Sequence, residues 1–130
     1  MTNRERIERI YDAFSRGDTD AVFGAMAPDV DWNEAEGSPY ADRNPYRGPQ
    51  AVGEGVFGRL LADYDGFAAV PERYVADGDT VVALGRYSGT RAGSDRPLDA
   101  PFAHVWTLED GAVTAFQQYT DTAQYRDLAG

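Results

Sequence analysis

Cysteine and lysine are both missing from this chain, and histidine occurs once. Without cysteine there is no disulfide, no thiolate nucleophile and no cysteine-ligated zinc. A single imidazole excludes a multi-histidine metal site, and no serine sits in a nucleophile-elbow pattern to build a triad with it. All 12 basic residues are arginine, so side-chain Schiff-base chemistry has no amine to use. The apolar runs are too short for a membrane-spanning helix. The formal net charge of −10 is spread along the chain with no basic patch, so a nucleic-acid partner is not expected. Nothing in the residue set calls for a metal or an organic cofactor. Carboxylate, imidazole and phenol groups remain, and their shared chemistry is proton transfer.

What is present is enough for a folded core. Hydrophobic residues make up 42% of 130, with two Trp, eight Tyr and six Phe. That length suits one domain spanning residues 1–130. The opening residues lead into a charged helix rather than an apolar leader, so the expected compartment is the cytoplasm.

Ile7, Ile10, Tyr11 and Phe14 recur at helical spacing, with Thr2 or Asn3 as cap and Gly17 as stop. Asp18 or Thr19 opens a short second helix through Met26, which Pro28 closes. Residues 29–36 alternate as a strand, with Val30, Trp32, Glu34 and Glu36 on one face and Asp29, Asp31, Asn33 and Ala35 on the wet one. A loop over 37–49 precedes a third helix from about Pro49, weakened by Gly53, Gly55 and Gly58. Four strands follow, at about 67–76, 79–91, 98–109 and 112–121, linked by turn signals such as Asp77-Gly78-Asp79 and Glu109-Asp110-Gly111. The last ten residues read as a short, frayed segment. Helices first and hairpin-linked strands after define an α+β fold with an antiparallel sheet.

Three residues are candidates for chemistry. Glu34 shares an apolar face with Trp32, where burial raises a carboxyl pKa and suits it to act as a general acid or base. Its other reading is a strand-end carboxylate already in solvent. His104 alternates with Phe102, Trp106 and Leu108, so it is either a proton carrier or a core histidine satisfied by a neighbour. Asp121 ends the last strand on the face of Gln117 and Tyr119, and is either catalytic or the cap of a following turn or helix. Tyr11, Trp32, Tyr40, Phe67, Tyr87, Phe102, Trp106 and Tyr119 are candidate walls of a small-molecule pocket. Residues 38–47 read as either a lid or an ordinary proline-stiffened connection. Arg86 either pairs with a buried carboxylate or lies on the surface.

Several stretches, in order, resemble the SnoaL-like polyketide cyclases and ketosteroid isomerases of the nuclear transport factor 2-like superfamily. They are Tyr11 to Ala21, Ala27 to Trp32, Tyr46 to Val52, His104 to Gly111 and Gln118 to Thr122. The resemblance implies a cone of curved antiparallel sheet, N-terminal helices closing over a pocket, and a homodimer paired through the outer sheet face. It implies a small apolar ligand, polyketide- or steroid-like. In the isomerases a base precedes a Gly-Ser pair, and here Glu34 precedes Gly37-Ser38. The isomerase tyrosine position falls on Ile10, one step from Tyr11. The His104 and Asp121 pair looks closer to the SnoaL-like cyclases, where a His and an Asp serve acid–base catalysis. The expected function is acid–base chemistry, as an isomerase, cyclase or related lyase, on a molecule with an activated C–H bond. The alternatives are a non-catalytic binding protein and an epoxide hydrolase using Asp121, Asn33 and Arg86.

Overall fold

The computed structural model describes residues 1–130. Helix α1 spans Asn3–Ser15. The Thr2 hydroxyl accepts from the Glu5 amide and the Glu5 carboxylate accepts from the Thr2 amide, so two otherwise free donors are satisfied at its start. Ile7, Ile10, Tyr11 and Ala13 form its buried face. Helix α2, Thr19–Gly24, is capped by Asp18. It stops short of Met26, where strand β1 begins and runs to Asn33. Pro28 therefore lies in a strand rather than closing a helix. It is tolerated because the pairing of β1 shifts register between Met26 and Asp31, where no ladder donor is required of it.

The expected loop over 37–49 is more ordered than a connection. It holds a 3-10 turn at Pro39–Arg43 and a short strand β2, Tyr46–Arg47, antiparallel to β1. The third helix forms from Pro49 to Asp63, in three parts. They are α3 (Pro49–Val52), a π turn (Gly53–Phe57) and α4 (Gly58–Asp63). Two of its glycines are packing requirements. A Cβ on Gly53 would press on the Phe23 ring, and one on Gly55 would enter the Tyr46 ring. The Tyr46 ring is fixed from outside, because its hydroxyl donates to the Tyr40 carbonyl and accepts from Arg59 Nη2 at 2.7 Å.

Strands β3 (Tyr64–Asp77), β4 (Thr80–Arg91), β5 (Pro97–Glu109) and β6 (Ala112–Thr120) form a continuous antiparallel meander. The six strands make one curved sheet in the order β2-β1-β6-β5-β4-β3. One pairing departs from the expected antiparallel pattern: β1 runs parallel to β6. The chain reaches β1 directly after the helices and then crosses the whole meander before β6 returns beside it. The C-terminal residues are not frayed. Thr122–Ala129 is a helix, α5, which buries Tyr125 and Leu128.

The core lies between the concave face of the sheet and the helices. Along β5 the alternation is strict, with Leu98, Ala100, Phe102, His104, Trp106 and Leu108 all buried. Register carries that face across the sheet: Trp106 pairs with Phe116 and Val81, His104 with Gln118 and Ala83. Trp32 stacks on Phe116 with centroids 3.7 Å apart.

Candidate active site

Trp32 is the penultimate residue of β1 and Glu34 lies one step beyond the strand, so both side chains turn into the concave side. Glu34 is 3% exposed. Trp32 Nε1 donates to its Oε2 at 2.9 Å, and no other protein group donates to the carboxyl. Burial dominates this balance and pushes the Glu34 pKa up to about 7; the Trp32 bond and the Arg59 charge only partly oppose it. Its backbone is fixed separately, because Asn44 accepts from the Glu34 amide and donates to its carbonyl. The segment after Pro39 therefore holds Glu34 in place rather than swinging as a lid.

Glu34 faces a mainly apolar cavity of about 60 Å³ under α1 and the third helix. Pockets for drug-sized ligands run to several hundred Å³. A fused multi-ring skeleton does not fit here unless the walls move. Ile10 and Tyr11 line it from α1, Phe57 from the π turn, and Tyr87, His104 and Gln118 from the sheet.

His104 is 5% exposed and held at both ring nitrogens. The Tyr11 hydroxyl lies 2.5 Å from Nδ1, and the Tyr87 hydroxyl is bonded to Nε2. Each tyrosine is held in turn: Trp106 Nε1 donates to Tyr11 at 3.0 Å, and Gln118 Nε2 donates to Tyr87 at 2.8 Å. The Gln118 carbonyl accepts from the Ala35 amide, which ties the chain back to the residue after Glu34. Burial pushes the His104 pKa down to about 3, so the ring is neutral at physiological pH. Desolvation likewise raises both tyrosines, which stay protonated. His104 is therefore a core histidine satisfied by two neighbours rather than one, and both of those neighbours line the cavity.

The other expected site residues divide. Trp32, Phe67, Trp106, Tyr11 and Tyr87 line the cavity. Phe102 lies behind the site, stacked on His104 with centroids 4.0 Å apart. Tyr40 is a buried beam, its hydroxyl on Asp63 at 2.7 Å, and Leu108 is core below the cavity. Asp121 is outside the site. It is exposed and caps α5, accepting from the Gln124 amide at 3.2 Å. Tyr119 is 57% exposed on the convex face. The register shift between β5 and β6 near Thr107 and Leu108 turns Tyr119 outward, whereas Asp121 lies one step past β6 and is taken up as the cap of α5. The inward residues of the last strand are Phe116 and Gln118, not Gln117 and Tyr119. Ala35 is buried as well, because alternation ends with β1 at Asn33. Arg86 pairs with Asp99 at the surface. The Asp121, Asn33 and Arg86 set therefore does not converge on the cavity. Gln118 escaped sequence reasoning, although parity counted from Phe116 points it inward.

Helix α1 also resolves the Ile10 question. Ile10 and Tyr11 both reach the cavity, so the step around the helix still presents a phenol.

A model described as a SnoaL-like domain matches residues 7–116. The chain belongs to the SnoaL-like family. Among solved structures, a nuclear transport factor 2-like protein from Burkholderia thailandensis E264 is 32% identical, with a TM-score of 0.93 over 100% of this chain and 98% of that one. One of unknown function from Burkholderia pseudomallei K96243 is 30% identical, with a TM-score of 0.86 over 98% of each chain. TerC, co-crystallised with polyporic acid, is 25% identical, with a TM-score of 0.85 over 97% of this chain and 96% of its own. No curated protein matches the chain. In this SnoaL-like protein no helix is long and apolar enough to cross a membrane.

Proposed function

We propose that this protein is a cofactor-independent acid–base enzyme, an isomerase, cyclase or related lyase, acting on a small, mostly apolar molecule with an activated C–H bond. The observation that carries the reading is Glu34: a buried carboxyl with a pKa near 7 and one protein donor, facing an aromatic cavity with a tyrosine–histidine–tyrosine chain in its wall. Its carboxylate takes the C–H proton. The negative charge that develops on the substrate oxygen is stabilised by a phenol of the chain, and neutral His104 positions that phenol. Returning the proton to another carbon completes an isomerisation.

The test is deuterium exchange. Small aryl ketones are incubated with the protein in D2O, and loss of the α-proton signal is followed by NMR. The wild type accelerates exchange, and Glu34→Gln keeps the fold but loses about 100-fold or more of the rate. A variant as active as wild type removes Glu34 from the mechanism.

A second reading, a binding protein without turnover, is favoured by one feature: His104 is held by a tyrosine at each ring nitrogen and its pKa is pushed down to about 3, so it is not poised to carry a proton at neutral pH. The TerC complex supports a small ligand on either reading. Native mass spectrometry separates them, since an unaltered retained ligand together with absent exchange favours binding.

We also infer a homodimer through the convex face of the sheet. Val75, Val82 and Val105 lie in one cross-strand row there, and Leu84 and Tyr119 in the next. Val75 and Tyr119 are exposed.

A further inference from the structure

The protons in the His104 chain do not divide evenly. Each tyrosine oxygen receives a donor of fixed identity. Trp106 Nε1 can only donate to Tyr11. The Gln118 amide is oriented by the Ala35 amide, which demands its carbonyl and leaves its NH2 for Tyr87. Between the tyrosines sits a neutral imidazole with one N–H and one bare nitrogen. Its two contacts need one proton each. The ring supplies one and a hydroxyl supplies the other. Two hydroxyls and one N–H carry three protons in all, so one hydroxyl proton is left over. It belongs to whichever tyrosine accepts from the ring. Neither Tyr11 nor Tyr87 has a protein acceptor besides His104, and both line the cavity. A buried donor without an acceptor is costly, and a ligand oxygen relieves that cost.

We propose that this leftover hydroxyl proton is the cavity's recognition element: it binds an acceptor oxygen of the ligand, as carbonyl, enolate or phenolate, and the tautomer of His104 decides whether Tyr11 or Tyr87 presents it. The two arrangements hold the same three protons. With the ring proton on Nε2, Tyr11 donates to Nδ1 and Tyr87 has the free proton. With it on Nδ1, Tyr87 donates to Nε2 and Tyr11 has the free proton. Conversion moves one proton from one ring nitrogen to the other and rotates two hydroxyls, with no change in charge. His104 is therefore a positioning residue, and an apolar ligand can be gripped by its oxygen at either of two points in the same wall. The inference rests on reading this cavity as the ligand site, and it does not require turnover.

His104 is the chain's one histidine, so its ring nitrogens are unambiguous in 15N-histidine NMR. The expected spectrum at pH 7 has one protonated and one bare nitrogen; an imidazolium overturns the count. This measurement needs no variant. The binding test uses acetophenone and α-methylstyrene, which share a shape but differ in the acceptor oxygen. Acetophenone should bind about tenfold tighter, as one added hydrogen bond to a waiting donor implies. Tyr11→Phe and Tyr87→Phe should each keep that preference, because the remaining tyrosine can present the proton. The double variant should lose it. Equal binding of the two probes to wild type overturns recognition while leaving the cavity as a ligand site. Loss of the preference in one single variant overturns the tautomer choice. Failure of both probes to bind removes the ligand site, and with it both this inference and the proposed function. Absent exchange with intact preference leaves the inference standing and defeats only catalysis.

Discussion

Burial disfavours the charged forms of Glu34 and His104, raising the one as an acid above its ordinary pKa and lowering the other as a base below it. The two shifts pull stability in opposite directions with pH. Glu34 moves from 4.5 up to about 7, so its stability is fully present below about pH 4.5 and is lost as pH rises through about 7. His104 moves from 6.5 down to about 3, so its stability is present above about pH 6.5 and is lost as pH falls through about 3. Between about 4.5 and 6.5 the two slopes cancel. Urea midpoints should therefore hold level from these groups across that window, fall by only roughly 0.7 kcal/mol over the half unit from 6.5 to about 7, and stay level above it. Glu34→Gln should abolish that fall. A wild-type midpoint that rises between pH 6.5 and 8 contradicts a Glu34 pKa near 7. Both residues were legible in the sequence, because each stood at an inward position of an alternating strand beside a tryptophan. Gln118 and Asp121 were not. Asp121 lies one step past β6, as the cap of α5. For Gln118, inward and outward exchange across a register shift, and a shift leaves no mark in hydrophobic alternation when the strand carries Gln117, Gln118 and Tyr119 in succession.

At the scale of elements, the site depends on how the third helix bends over it. Its π turn places Gly55 against the Tyr46 ring, which Arg59 holds while forming a two-pronged pair with Asp42. Arg59 Nε also donates to the Gly55 carbonyl at 2.5 Å. Gly55→Ala should therefore destabilise by about 1–3 kcal/mol through overpacking. Gly24→Ala should be neutral or slightly stabilising, since its Cβ meets open space near a helix end. Paired thermal melts check both, and equal midpoints for the two variants would sink the packing account. At the other end of the chain, Asp121→Ala should cost about 1 kcal/mol of stability as a lost cap on α5 and leave turnover unchanged. A fall in turnover with unchanged stability would return Asp121 to the mechanism. Sequence punctuation located these elements closely: Gly17, Asp77-Gly78 and Asp110-Gly111 mark real ends and turns. It missed α5, because eight residues with two buried side chains carry too little periodicity to stand out from a tail.

For the molecule as a whole, the meander was readable and the sheet order was not. Hairpin signals specify neighbours in sequence. The parallel contact of β1 with β6 closes over about eighty residues of chain and has no local signature. The convex face bears on assembly. If Val75, Val82, Leu84 and Val105 meet a second copy, light scattering should give a dimer mass at micromolar concentration, and Val105→Arg should give a monomer with the cavity intact. A wild-type monomer at that concentration contradicts the pairing. With a net charge of −10, added salt should favour the dimer by screening repulsion between the subunits.

The Ala35–Gln118 bond joins two parts of the site that chemistry would treat as separate. Ala35 follows the carboxyl that faces the cavity, and Gln118 steadies the phenol that holds one end of His104. The link works as a coupling rod. A displacement of Glu34 would pull on the Gln118 amide and slacken its grip on Tyr87. On the proposed reading, a poor fit at one end would disorganise the other, and selectivity would come from the stiffness of the connection as well as from the shape of the walls.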